Sequence, residues 1–419
     1  MKVLVVGSGG REHAILWKLK QSPRVTDLYC APGNGGISEI ARCVSVEATD
    51  IEGIVAFSKE NNIDLVVVAP DDPLAAGMVD ALEAEGIRAF GPRRNAALIE
   101  ASKAFSKQLM RKYNIPTAEY EIFDDSEKAK EYVRSASYPL VVKADGLALG
   151  KGVIICNTAQ EALDAVSSIM EDKKFGSAGQ KVVIEEFMTG PEVSVLAFTD
   201  GKTLVPMVSS QDHKRVFDND KGLNTGGMGT FSPSRHYTEE ISKVCMDKIF
   251  KPTIEVMKKE GRPFKGVLYF GLMLTDKGPK VLEYNARFGD PETQVILPLL
   301  ETDLLDIFEA VIDEKLDTIN ITWKNEAAVC VIMASGGYPE KYVKGYEISG
   351  LEKFENCKDI IVFHAGTKKE SGKFYTNGGR VLGVTAIAPN LKMAREKAYK
   401  AVSDIAFKDA HFRRDIGIK

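Results

Sequence analysis

Glu283, Asn285 and Arg287 alternate along Lys280-Val-Leu-Glu-Tyr-Asn-Ala-Arg-Phe-Gly-Asp-Pro-Glu-Thr-Gln294. Val281 to Asn285 reads as a strand, and the turn-forming Gly289-Asp290-Pro291 follows it. Side chains two apart on a strand share a face, so a carboxylate and an amide oxygen would project together, with a guanidinium beyond them if the extension continues. That set suits a hard, oxygen-bound cation carrying nucleotide phosphates. A surface strand ending in a charged turn is the competing reading of the same residues.

Upstream, Tyr138 to Lys143 reads as a strand that bears a lysine and runs into Ala144-Asp-Gly-Leu-Ala-Leu-Gly-Lys-Gly152. Such a loop can lay backbone N–H groups over phosphates, here at Gly146, Gly150 and Gly152, while Lys143 neutralises charge. It is not a Walker A loop, because Asp145 stands where the first glycine is required and no Ser or Thr follows Lys151. A glycine-rich hairpin with no ligand is the alternative. The next strand, Lys181 to Met188, turns at Gly190-Pro191 into Glu192. Backbone groups of Glu185, Glu186, Phe187 and Met188 could meet an adenine edge, and Glu192 could take both ribose hydroxyls.

These groups need elements to hold them. Lys2 to Val6 is a buried-strand pattern, and Gly7-Ser-Gly-Gly-Arg-Glu-His13 leads from it into a periodic helix through Ile15, Leu16 and Leu19. Strand patterns at Val25 to Tyr29 and Leu65 to Ala69, with a helix from Ile51 to Asn61, continue the alternation and predict a doubly wound parallel sheet. A dinucleotide site is disfavoured, since Glu12 occupies the position of the third glycine and no acid ends the second strand. The glycine turn leaves N–H groups open at a helix start, for an anion or merely for a tight turn. Ala31-Pro-Gly-Asn-Gly-Gly36 and Ala69-Pro-Asp-Asp-Pro73 read as loops at the carboxyl ends of strands, where Asp71 or Asp72 could accept from sugar hydroxyls.

The chain has 419 residues and a net charge of −4, with acids and bases interspersed. Two to four domains follow from the length, and small molecules rather than nucleic acid or membrane from the charge. Six scattered cysteines without a CxxC pair argue against zinc and disulfides and fit a cytoplasmic protein. No apolar run approaches the roughly 20 residues of a membrane span.

In order, a lysine, a glycine lid, a hinge ending in acids and a distal Glu-x-Asn-x-Arg strand resemble the ATP-grasp superfamily, in which two α+β lobes clamp ATP. Gly9-Gly-Arg-Glu-His-Ala14, Ala31-Pro-Gly-Asn-Gly-Gly36, Gln211-Asp-His-Lys-Arg215, Asn224-Thr-Gly-Gly-Met-Gly229 and Arg287-Phe-Gly-Asp-Pro-Glu-Thr-Gln294 narrow the resemblance to the glycinamide ribonucleotide synthetase (phosphoribosylamine–glycine ligase) family. It covers essentially the whole chain. The fold it implies is α/β and α+β multidomain. A doubly wound N-terminal domain (1–102) precedes an ATP-grasp domain (103–326) with a mobile lid subdomain at about 118–190, and a small C-terminal α/β domain spans 327–419. The implied reaction joins glycine to 5-phosphoribosylamine with ATP, in early purine synthesis, through glycyl phosphate.

By the same likeness, Lys103 and Lys143 contact ATP phosphates, Glu185 to Met188 hold adenine, Glu192 holds ribose, and Glu283 and Asn285 hold Mg²⁺ or Mn²⁺. Arg287 stabilises the transferring phosphoryl group beside Lys143, and Gly9, Gly10, Arg11, Asp71 and Gly227 join the substrate set. Asp212, Lys214 and Arg215 are placed near the acceptor, where the cations could pair with carboxylate or phosphate and Asp212 with an ammonium. A solvated charged loop is the alternative there. Neither step of that reaction needs a protein nucleophile, in keeping with the lack of a persuasive Ser/His/Asp or Cys/His set.

Two positions depart from the family's pattern. No acid lies in the strand Val267 to Leu274, where many ATP-grasp enzymes add a metal ligand, and Asp71-Asp72 stand where the family commonly has Glu-Ala. The last domain reads as a wall of the cleft or a packing cap, with Arg380 assigned to packing. A monomer or weak dimer is expected. An oxidoreductase on the first sheet, a silent nucleotide sensor, and a carboxylase or formate-using ligase are the alternatives.

Overall fold

Apolar runs bounded by glycine and proline build the first sheet of the computed structural model, which describes residues 1–147, 152–172 and 176–418. Strands β1 (Lys2–Gly7), β2 (Asp27–Pro32), β3 (Arg42–Cys43), β4 (Leu65–Val68) and β5 (Ala89–Phe90) are parallel, in the order β3-β2-β1-β4-β5. Alternate residues serve opposite faces. Val3 and Val5 pack with Ile15, Leu16 and Leu19 of the helix Gly10–Leu19, whereas Leu4 and Val6 pack with Ile54 of the helix Ile51–Glu60. Coverage on both faces explains the uninterrupted apolar strands. The order reverses between β1 and β4, so the segments after these two strands flank a switch-point crevice.

The second of those segments is not the loop that the prolines suggest. A helix spans Asp71–Ala76, with Pro70 before it and Pro73 in its first turn, where a missing N–H costs nothing.

Strands β6 (Tyr120–Phe123), β7 (Leu140–Ala144), β8 (Val153–Cys156) and β9 (Val182–Glu186) form an antiparallel sheet, order β6-β9-β7-β8. Helices Ser126–Ser135 and Ala159–Val166, capped by Asp125 and Thr158, cover it. Val133, Leu140, Val142, Cys156, Val166 and Ile184 make a core of their own, which sets this subdomain apart.

The chain continues through β10 (Glu192–Asp200), β11 (Leu204–Pro206), β12 (Gln211–Asp212), the hairpin β13 (Arg215–Phe217) and β14 (Lys221–Asn224), β15 (Gly229–Ser232), β16 (Lys265–Thr275) and β17 (Gly278–Asn285). The main sheet here runs β11-β10-β16-β17. Opposite Gly271 stands Glu283 and opposite Leu272 stands Val281, so Leu282 is an extra residue, a bulge in β17. The bulge shifts the alternation: Val281 and Tyr284 both face the core, and Glu283 and Asn285 are left on the other side.

Six strands complete the fold: β18 (Ala327–Ala334), β19 (Glu347–Ile348), β20 (Ile360–His364), β21 (Thr367–Glu370), β22 (Lys373–Thr376) and β23 (Arg380–Ala388), with the helix Leu391–Asp404. The larger sheet is β12-β15-β18-β23-β20. Residues 211–232 thus supply two strands to a sheet that the sequence reading began at 327. The region is joined by hydrogen bonds to the segment carrying Asp212 and Gly227.

Candidate active site

Strand β17 ends at Asn285, and Arg287 lies in the bend after it rather than on a continued extension. Its guanidinium nevertheless turns back. Nη2 reaches Asn285 Oδ1 at 3.4 Å and Glu100 Oε1 at 3.0 Å, and Nη1 donates to Phe288 O at 3.2 Å. Burial pulls the Arg287 pKa down, but Glu100, Asp71, Glu292 and Tyr269 around it leave it raised overall. Burial also opposes the charge of Glu283, yet Lys214, Lys143, Lys103 and Arg287 hold its carboxyl below the usual range. Gly271, its partner across the ladder, leaves room: a Cβ there would sit 3.2 Å from Glu283 Cγ. A carboxylate kept ionised beside an amide oxygen is a donor set that fits Mg²⁺ or Mn²⁺.

The cations around Glu283 come from separate elements. Lys143, on β7, donates to Glu185 Oε2 at 2.9 Å and to the bulged Leu282 carbonyl at 3.3 Å. Lys107 meets the same Glu185 oxygen at 3.0 Å and Thr117 Oγ1 at 2.7 Å, and burial lowers its pKa to about 8. The Glu185 carboxylate is therefore the counter-ion of two buried lysines. Lys103 opens the helix Lys103–Tyr113 and donates to Gly146 O at 3.0 Å. Asp145, the residue that breaks the Walker A pattern, has a structural task. Its Oδ1 accepts from the Ala104 N–H and the Ser102 hydroxyl, each at 3.0 Å, and so anchors the helix that carries Lys103.

At the end of β9, Glu186 accepts from Lys280 Nζ at 2.7 Å and from the Glu119 N–H at 3.1 Å. Phe187 is exposed, and Met188 packs with Ala118, Met273 and Leu282. Gly152 O pairs with the Ala144 N–H at 2.8 Å, whereas Gly150 lies outside the described residues. Glu192, at the start of β10, holds Lys214 Nζ at 3.0 Å. That contact, with Glu283, Tyr269 and Asp212 nearby, raises the Lys214 pKa well above its ordinary value despite burial.

Asp212 and Glu292 form an acidic pair, each pushed up first by burial, and Asp212 next by Glu292. Glu292 accepts from the Tyr269 hydroxyl at 3.2 Å, which in turn lies 2.6 Å from Ser194 Oγ. Gly227 passes close to both acids' segments at φ +112°, where a Cβ would fall 2.6 Å from Pro291 Cδ and 2.7 Å from Asp212 Oδ1. Arg215 does not join them. It lies on the hairpin β13/β14 and donates to Gly222 O at 2.8 Å. Arg380, read from sequence as packing, does more. It donates to the carbonyls of Gly226 at 2.6 Å and Asp290 at 2.8 Å, which ties the C-terminal region to both sides of this pocket.

The crevice after β1 and β4 closes the site from the N-terminal side. Gly9 does not leave its N–H open to an anion, because Glu12 Oε2 takes it at 2.6 Å. Glu12 is buried, and its other oxygen accepts from Arg11 Nε at 2.6 Å, while Arg11 Nη1 reaches Phe288 O at 3.3 Å. The residue that spoils the dinucleotide pattern thus rigidifies this turn. Gly10 abuts Gln294 and Asp290. Asp71, opposed by burial but facing Arg287 and Arg11, sits below the usual carboxylate range. The same is true of Asp290, between Arg380 and Arg11.

Sequence reasoning missed Glu100, Lys107, Tyr269 and the pairing role of Glu292. Glu292 lay inside a quoted motif. The others carry no local signal, since each acquires its role only through a partner far along the chain. Among the described residues, no three His, Cys, Asp or Glu side chains gather as a metal cluster.

Three family models match in succession: the phosphoribosylglycinamide synthetase N domain over residues 1–100, its ATP-grasp (A) domain over 101–293, and its C domain over 328–419. A phosphoribosylamine–glycine ligase of Caldanaerobacter subterraneus subsp. tengcongensis is 49% identical, covering 99% of each chain. The crystal structure of phosphoribosylamine–glycine ligase from Thermotoga maritima superposes with a TM-score of 0.87 at 33% identity, covering 99% of this chain and 100% of that one. The biotin carboxylase domain of Hydrogenobacter thermophilus 2-oxoglutarate carboxylase, solved with MgADP, ADP and bicarbonate, matches with a TM-score of 0.75 at 16% identity, over 98% of this chain and 91% of that one. This last likeness concerns the fold alone.

Proposed function

The chain belongs to the phosphoribosylglycinamide synthetase family, and we propose how its residues divide the work of joining glycine to 5-phosphoribosylamine with ATP in purine biosynthesis. The observation that carries the assignment is the ionised Glu283 among Lys103, Lys143, Lys214 and Arg287, four cations from four segments. So many positive groups at one carboxylate are more than a protein ion pair needs, and they match a triphosphate meeting a second anion.

ATP lies with its phosphates between Lys103 and Lys143, beside the backbone of Gly146 and Gly152. Its adenine rests along Glu185, Glu186, Phe187 and Met188, and its ribose on Glu192. Glu192 exchanges Lys214 for the ribose hydroxyls, which frees Lys214 for an anion. Glu283 and Asn285 would hold Mg²⁺ or Mn²⁺. The bound cation neutralises phosphate charge and polarises the γ-phosphoryl group.

Glycine's carboxylate attacks the γ-phosphorus and ADP departs, leaving glycyl phosphate. Arg287 and Lys143 stabilise the charge that gathers on the phosphoryl oxygens. Asp212 holds the glycine ammonium, Lys214 its carboxylate end, and Gly227 lets the backbone approach. The amine of phosphoribosylamine, oriented from the crevice by Gly10, Arg11 and Asp71, with Gly9 shaping the turn through its bond to Glu12, then attacks the acyl carbon. The C–O bond to phosphate breaks, and the amine gives up a proton. Arg215 serves at the rim. Water must be kept from the acyl phosphate, the task that the family likeness gives the segment 146–152, of which 148–151 lie outside the described residues.

The functional partition follows the three parts 1–102, 103–326 and 327–419, with the lid subdomain at about 118–190. Small molecules are the only substrates assigned, without nucleic acid, and the enzyme acts in the cytosol as a monomer or weak dimer. All six cysteines are free thiols, and among the described residues no helix is long and apolar enough to cross a membrane.

The test is an ADP-release assay with glycine and freshly made phosphoribosylamine, each omitted in turn. ADP formation that requires glycine supports the assignment. Equal release without glycine refutes it.

A further inference from the structure

Glu100 closes the helix Arg94–Ala101, three residues before Lys103, and both oxygens of its carboxylate are spent on the bend Ala286-Arg287 that follows the strand carrying Glu283 and Asn285. Oε1 holds Arg287 Nη2 at 3.0 Å, and Oε2 accepts from the Ala286 N–H at 2.6 Å. One rigid group therefore fixes both the backbone that ends β17 and the guanidinium beyond it. Its neighbours in charge are Arg287, Asp71, Arg11 and Lys103.

The guanidinium so held has an unusual balance of contacts. Nη1 is given to Phe288 O and Nη2 is shared by Glu100 and Asn285, yet Nε is buried with no acceptor. A buried guanidinium N–H without a partner is costly, and such groups are rare in folded proteins. The Glu100 and Phe288 contacts on the two terminal nitrogens oppose rotation of the guanidinium. The fork geometry of arginine makes its orientation depend on which nitrogens are already tied.

We propose that Glu100 is a positioning residue for the phosphoryl transfer, holding the Arg287 guanidinium in one orientation toward the reacting anion while its second oxygen, on the Ala286 amide, fixes the backbone beside Asn285. The inference rests on the role given to Arg287 above. Glu100 touches neither substrate nor metal in this scheme and acts through its charge on Arg287 and its hydrogen bond to the Ala286 N–H.

A double-mutant cycle tests it on the full chain, with steady-state kinetics and hydroxylamine trapping of glycyl phosphate as glycyl hydroxamate. Glu100→Gln keeps an acceptor for the Ala286 N–H and removes the negative charge that faces Arg287. It is expected to lower kcat and the hydroxamate yield roughly ten- to a hundredfold, the loss of one charge-assisted hydrogen bond, with the KM for ATP within about twofold. In an Arg287→Ala background the same substitution should add less than about twofold, because its target is gone. Glu100→Asp should restore part of kcat.

A kcat for Glu100→Gln within twofold of the parent overturns the proposal. So does a loss that multiplies in full on top of Arg287→Ala, or a rise in the KM for ATP at unchanged kcat. If Arg287→Ala itself leaves kcat intact, the role of Arg287 fails first, and that outcome is read before the cycle is closed.

Discussion

Glu283→Gln separates the two roles that the surrounding charges give this residue. As a metal ligand it must be anionic, and four cations keep it so: Lys214, Lys143, Lys103 and Arg287 together outweigh its burial. A unit charge pair 4 Å apart is worth about 4 kcal/mol at an effective dielectric near 20. The glutamine keeps an oxygen dipole, so about half of one such interaction should be lost, roughly 2 kcal/mol. That corresponds to a drop of about thirtyfold in kcat/KM with saturating Mg²⁺. Metal-free ATP should respond in the opposite direction, since the lysines lose a competing carboxylate and bind the bare triphosphate more tightly. Glycine-dependent ADP release measures the first effect, and calorimetric titration of ATP in chelator measures the second. Near-normal turnover, with the thermal midpoint unchanged, would remove the metal assignment. Weaker metal-free binding would refute the charge argument.

Lys143→Ala should raise the KM for ATP roughly tenfold or more while that for glycine changes less than about threefold, because Glu185 retains Lys107 at 3.0 Å and the local fold survives; the reverse order moves Lys143 out of the nucleotide site. Gly227→Ala places a Cβ 2.6 Å from Pro291 Cδ at φ +112°. A strain of about 1–3 kcal/mol is expected, with a larger loss of kcat/KM for glycine than for ATP, and equal losses would sink the close-approach argument. His364 is buried against His13, its N–H donating to His13 Nδ1 at 2.8 Å, and burial lowers the two rings to about 3 and about 4. The unfolded chain takes up these protons near pH 6.5 and the folded one does not. Stability from these rings is therefore complete above pH 6.5 and lost as pH falls toward 4. Between pH 6.5 and 5.0 His364 accounts for about 2 kcal/mol at most, so the destabilisation caused by His364→Gln should be smaller at pH 5.0 than at 7.5 in denaturant titrations, and an equal penalty at both refutes the linkage.

Much of the architecture was legible because burial on two faces leaves a plain signature. Val3 to Val6 and Leu65 to Val68 are apolar without interruption since a helix covers each side, and the glycine turn and prolines bracket them. The Glu-x-Asn pair was legible for a different reason: alternation along β17 puts both on one face whatever else packs nearby. The bulge at Leu282 was not, because nothing in Val281-Leu-Glu-Tyr284 distinguishes an extra residue from a regular one; Gly271 across the ladder decides it. The loop expected at Pro70 to Pro73 became a helix start because prolines in a first turn are compatible with either. The sheet shared by β12, β15 and β18 was hidden because pairing between residues 211–232 and 327–334 depends on the whole chain returning there. Glu12 and Asp145 were noticed only as violations of phosphate-loop patterns. In the fold, each caps backbone N–H groups beside the site, so a residue that breaks one motif fulfils a requirement of another.

One consequence links these side chains. Three of the cations assigned to substrate anions already hold a protein carboxylate: Lys143 with Glu185, Lys214 with Glu192, and Arg287 with Glu100. Lys143 is buried and Arg287 largely so, and such charges without counter-ions would be too costly to keep ionised, so the folded chain needs Glu185 and Glu100 before any ligand arrives. Substrate binding then exchanges one anion for another instead of neutralising a bare cation. The exchange need not be equal at the three places. Glu192 and Lys214 are each about two-fifths exposed or more and can part at small cost, whereas Glu185 stays clamped by Lys107 and Glu100 by the Ala286 N–H. On the assignment proposed above, the carboxylate free to move then lies on the ribose side and the clamped ones on the phosphoryl side, where orientation would govern the rate.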